Sequence, residues 1–89
     1  MLNDMALLSK VKAEKVSKGM IPSERFVLVR TAEGYNEEVP ASDRQVVGKY
    51  LLVSKIYEEK DRILVELPRE SSSGAWRIWV PRNRFHGAA

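Results

Sequence analysis

The stretch KYLLVSKIYEEKDRILVELP, introduced by Gly48, sets two apolar runs rich in β-branched and aromatic residues on either side of a polar EEKD turn. Runs of that composition, Tyr50 to Tyr57 and Arg62 to Leu67, predict a β-hairpin. Leu51, Val53 and Lys55 alternate with Leu52, Ser54 and Ile56, and Ile63 and Val65 alternate with Leu64 and Glu66. Both faces are partly apolar, as in a small and strongly curled sheet. On this alternation Leu51, Val53, Val65 and Ile78 are the expected core.

The flanking segments carry the same period. RFVLVRT puts Phe26, Leu28 and Arg30 on one face and Val27, Val29 and Thr31 on the other, and the turn-rich AEGYN then opens a long loop. EEVPAS contains Pro40, which cannot donate to a ladder, so it is expected as an irregular or edge strand on the return limb of that loop. RESSSGA is a polar loop ending in glycine. In AWRIWV, Trp76 and Ile78 share one face and Arg77 and Trp79 the other, until Pro81 stops the ladder. The first twenty residues have two readings. Lys10, Glu14 and Lys18 at spacings of four favour a short amphipathic helix, whereas Val11 and Ala13 alternate with Lys10, Lys12 and Glu14 as in an extra strand. The helix is preferred, with Gly19 and Pro22 marking its end.

The chain has 89 residues, 44% hydrophobic and 30% charged, which is the balance of one globular domain with little room for a deep cavity. It lacks cysteine, so no disulfide frame or cysteine-rich zinc site is expected and packing alone must hold it. No apolar run approaches the ~18 residues of a membrane span and no cleavable leader is visible, which predicts a cytoplasmic protein with no membrane partner. The net charge of +3 is modest and unevenly spread. Glu33, Glu37, Glu38 and Asp43 fall in one base-free stretch, and Arg77, Arg82 and Arg84 in one acid-free stretch.

Taken in order, these segments resemble an SH3 domain over about residues 25 to 85. WVPRNRF is similar to the Y-I-P-S-N-Y-V signature that closes SH3 domains, NEEVPAS to the acidic D-E-L-S-F element that ends their RT loop, and VVGKYLLV to the K-K-G-E-R-L-Q-I-V stretch that follows. The resemblance implies a mainly β protein: a five-stranded SH3-like barrel over residues 23–86, preceded by a helix or extra strand and linker (1–22) and followed by a disordered tail (87–89). SH3 domains bind proline-rich peptides between aromatic rings. Here VLVRT brings no aromatic to the position of the two groove tyrosines, Arg62 and Ile63 replace the paired tryptophans, and Arg84 replaces the last tyrosine. The resemblance therefore implies the barrel without the usual proline-rich ligand.

No acid, base and nucleophile set, phosphate loop or metal-spaced ligand group appears, and the single histidine, His86, is expected in the exposed tail. RIWVP is similar in outline to the Q-I-Y-P pore strand of type II dihydrofolate reductases, but Arg77 stands in place of the glutamine. The chain is thus expected to be noncatalytic, without cofactor or metal. Its expected function is to bind a protein partner or a second copy of itself through Arg77, Trp79, Arg82 and Arg84, bordered by Glu37 and Glu38. Cations around an indole also suit a nucleic acid, the second reading. Mixed charge favours the polypeptide, since Glu37 and Glu38 would repel phosphate. Which of Trp76 and Trp79 is exposed is left open.

Overall fold

The computed structural model describes residues 9–87. They form a mainly β protein of ten short strands: β1 (Lys10–Lys12), β2 (Lys15–Lys18), β3 (Glu24–Arg30), β4 (Asn36–Ser42), β5 (Val46–Val47), β6 (Tyr50–Leu52), β7 (Ser54–Glu58), β8 (Arg62–Glu66), β9 (Arg77–Pro81) and β10 (Phe85–His86). Three antiparallel sheets result, ordered β10-β1-β6-β5, β2-β3-β4 and β7-β8-β9, and none closes on itself. Among the described residues no helix is long and apolar enough to cross a membrane.

Alternation places the core. Val27, Val29 and Thr31 point inward from β3 and its end, Ile63, Val65 and Leu67 from β8 and its end, and Ile78 and Val80 from β9, all of them buried. Val11 and Leu51 face each other across β1 and β6 and are fully buried. Each such aliphatic side chain contributes roughly 1.5–3 kcal/mol. Val53, expected in the core, is half-buried and packs against it from the bend between β6 and β7.

The N-terminal helix is not what Lys10–Lys18 forms. Both segments are strands, because Val11 and Ala13 find an apolar interior on one side and β6, β10 and β3 supply partners that local propensity cannot anticipate. Residues 1–8 of the expected helix, and residues 88–89 of the expected tail, lie outside the described residues. Gly19 to Pro22, expected as a linker, is the tip of the β2–β3 hairpin. His86 belongs to β10, opposite Lys10 and edge-on to Tyr50 at 5.2 Å. The long loop after Thr31 is instead a tight turn: β3 and β4 pair from Glu24–Ser42 to Arg30–Asn36, and Gly34 takes the positive φ of 99° that closes the turn.

The chain is built twice. β1 to β5 and β6 to β10 follow the same order of pairings, with residue i of the first half answering to residue i + 40 at the crossing. Ala13 N–H donates to Lys49 O at 2.8 Å, and Val53 N–H to Ser9 O at 3.0 Å. The turns TAEGY and SSSGA share the same backbone bonds. Thr31 N–H donates to Tyr35 O and Ser71 N–H to Ala75 O, both at 2.8 Å, while the buried Thr31 and Ser71 hydroxyls accept from Tyr35 N–H and Ala75 N–H. Each half ends in a 3₁₀ turn, 43–45 or 82–84, before its last strand. In SDRQ the turn is fixed by a capping box: Arg44 N–H donates to Ser42 Oγ, and Ser42 N–H to Gln45 Oε1. The last strands are exchanged, β5 pairing with β6 and β10 with β1. Two further bonds of 2.8 Å join the outer sheets, Ala32 N–H to Trp79 O and Ser72 N–H to Glu38 O.

Candidate interaction surface

The outer face of β7-β8-β9 carries the expected Arg77 and Trp79 side by side. A β-bulge at Ile56 shifts the register, so that Tyr57 pairs with Leu64, which pairs with Trp79. An aromatic, aliphatic, aromatic row crosses the sheet. Tyr57, 59% exposed, stands edge-on to Trp79 with ring centroids 6.3 Å apart. Trp79 is half-buried. The Arg62 guanidinium lies 4.1 Å from the Trp79 ring centroid, a cation–π contact that covers one face of the indole.

Every arginine of this region is matched to a carboxylate from another segment. Arg62 Nε is 2.8 Å from Glu59 Oε1 and its Nη1 3.8 Å from Glu33 Oε2, Arg77 pairs with Glu66 at 3.4 Å, Arg82 with Glu58 at 2.7 Å, and Arg84 with Glu14. Surface pairs of this kind contribute at most about 1 kcal/mol each. Their larger effect is to neutralise the face. Arg82 is also committed to backbone, donating to Lys60 O at 2.8 Å, and Arg84 lies toward the β1–β2 bend through Glu14.

Glu37 and Glu38 hold the serine loop, and neither pairs with an arginine of the set. Ser73 Oγ donates to Glu37 Oε1 at 2.7 Å and Ser72 Oγ to Glu38 Oε1 at 2.8 Å. Glu37 is buried, inward beside Val39. Trp76 is the more exposed of the two tryptophans, at 52%, because it precedes β9 at the sheet's edge. Tyr57, Leu64 and Arg62 were missed by sequence reasoning. Simple alternation puts Tyr57 on the opposite face, and only the bulge, which has no residue signature in SKIYE, brings it beside Trp79.

The ion pairs leave a mark on titration. Hydrogen bonds from Lys55 and then Arg82, with their charges, hold the Glu58 carboxyl below the ordinary carboxylate range. The hydrogen bond to Glu59 raises Arg62 further above its already high value. Since Glu58 is depressed in the folded state, its pairing is intact above its unfolded pKa and is lost as pH falls through the folded one. In an NMR acid titration Glu58 should be among the last glutamates to protonate, and Arg82→Gln should move its midpoint upward. An unmoved midpoint would show that Arg82 does not reach it in solution.

Among the described residues no group of three or more histidine or acidic side chains is arranged to hold a metal ion. No protein-family model, curated protein or solved structure matches this chain.

Proposed function

We propose that the chain is a noncatalytic protein-interaction module of SH3-like barrel architecture that docks a polypeptide on the outer face of β7-β8-β9. Support for the barrel comes from the two interstrand bridges between outer sheets, and from the SH3-like ending in which Val80 and Pro81 lead through a 3₁₀ turn into a short strand beside the first one. The observation that carries the function is the Tyr57–Leu64–Trp79 row bordered by Arg62–Glu59 and Arg77–Glu66. An aromatic centre with a rim of both charges matches the anatomy of protein interfaces, where tyrosine, tryptophan and arginine dominate binding. A nucleic acid would find each of these cations already paired and the indole face already covered.

The test is affinity capture from the source cells, with wild type compared to Tyr57→Asp and Trp79→Ala, alongside sedimentation of the isolated chain for self-association. One protein, or the self-associated form, should be retained by wild type and lost at least about tenfold in both variants. The nucleic-acid reading replaces this one if short RNA or DNA binds with affinity that collapses in moderate salt and depends on Arg77.

A further inference from the structure

The β2–β3 hairpin ends in Gly19, Met20, Ile21 and Pro22, and its two neighbouring apolar side chains, Met20 and Ile21, are 84% and 59% exposed. Single exposed apolar residues are ordinary. These two are adjacent, and a set of hydrogen bonds holds them out. Gly19 N–H donates to Glu24 O at 2.9 Å, Met20 N–H to Glu24 Oε1 at 2.8 Å, and Glu24 N–H to Ile21 O at 3.0 Å. Arg25 Nη1 donates to Pro22 O at 2.8 Å and to Glu24 O at 2.9 Å. Pro22 has no N–H to satisfy. Gly19 makes the arrangement possible, because a Cβ there would come within 2.7 Å of Glu24 Oε1.

Directly behind the tip Lys18 stands opposite Arg25 in the ladder. Like charges so placed are destabilising. Neither pairs with a carboxylate among the described residues, in contrast to Arg62, Arg77, Arg82 and Arg84. The two cations and the tip line one open concavity of about 390 Å³. The equivalent hairpin of the other half has Glu59, Lys60 and Asp61 at its tip, and its exposed apolar side chains, Ile56 and Tyr57, lie back on the strand β7. The feature therefore does not follow from the duplicated fold.

We propose that this tip docks on an anionic phospholipid surface, with Met20 and Ile21 in the boundary between headgroups and acyl chains and Lys18 and Arg25 at the phosphates. Two properties meet there: apolar side chains pointing out, and the cations Lys18 and Arg25 behind them, with Glu24 as the carboxylate between. The exposed Met20 and Ile21 distinguish lipid from a DNA groove, since an apolar side chain gains from leaving water only where it meets an apolar medium. Asp43 and Arg44 follow on the adjoining 3₁₀ turn and offset each other. Surface attachment requires no spanning helix, and it departs from the sequence expectation of no membrane partner, which considered only spans and a leader. The β7-β8-β9 face takes no part, and this proposal stands or falls independently of it.

Two apolar residues and two cations give weak, reversible attachment. The full chain is sedimented with phosphatidylcholine vesicles containing about 30% phosphatidylserine, and with phosphatidylcholine alone. Binding is expected to the anionic vesicles only. Ile21→Asp should reduce it at least about tenfold and Lys18→Gln about fivefold, with Met20→Ser as a milder variant, and with all three keeping the parent's thermal transition. Absent binding, equal binding to both vesicles, or binding indifferent to Ile21→Asp and Met20→Ser overturns the proposal. A short DNA duplex bound in place of the vesicles and released by Ile21→Asp assigns the tip to nucleic acid instead.

Discussion

Leu51→Asp should leave the chain with no cooperative thermal transition. Leu51 is fully buried at the centre of β10-β1-β6-β5, between Val11 on β1 and Val46 on β5. A carboxylate there has no cation or donor to meet it, and burying an unpaired charge costs more than the ~5–15 kcal/mol that holds a domain of this kind together. Leu52→Asp is the control. It sits next in the strand, half-buried on the other face, and should still melt cooperatively. A Leu51→Asp variant that folds beside a Leu52→Asp variant that does not would mean that β6 is displaced by one residue, exchanging its faces.

Proline at either crossing should be nearly as damaging, and equally so at both. Ala13→Pro removes the N–H that donates to Lys49 O, and Val53→Pro the N–H that donates to Ser9 O, at equivalent points of the two halves. Loss of the bond together with the ring's steric demand costs about 2–4 kcal/mol. For a chain of this length that lowers the melting temperature by roughly 10–30 °C. Calorimetry of the two variants measures both the size and the symmetry of the effect. A large loss at one site with none at the other would contradict the equivalence of the halves.

Much of the β architecture is legible in the residues, and particular failures show where local pattern gives out. RFVLVRT assigns its faces correctly because a single strand against a core needs nothing but period two. EEKD and Gly48 mark turns that form, with Gly48 at a φ of 62°. Lys10–Lys18 misleads because lysine and glutamate at spacings of four support a helix equally well, and the deciding partners, Leu51, Phe85 and Val27, are distant in sequence. The cluster of Arg77, Arg82 and Arg84 reads as a basic patch only while its counterions stay hidden. They come from Glu66, Glu58 and Glu14, far apart along the chain. Lys18 and Arg25 are among the cations that form no ion pair among the described residues, although the sequence sets an acid, Glu24, between them, because its carboxylate turns to the Met20 N–H instead. The duplication is invisible to residue matching, since TAEGY and SSSGA share only their glycine.

The exchange of last strands sets the order in which this protein can be made. A chain leaving the ribosome completes both hairpins of its first half early, yet β1 remains bare on both edges until residue 51 and then residue 85 have been added. Val11, fully buried in the finished core, lacks its β6 neighbour until residue 51 is made and its β10 neighbour until residue 85. The early half is an open template with unpaired edges at β1 and β5, so its hazard is pairing with a neighbouring nascent chain in place of its own second half. Pairing of β10 with β1 is the least local of these contacts, which makes slow folding relative to a helical chain of equal length the expected kinetic signature.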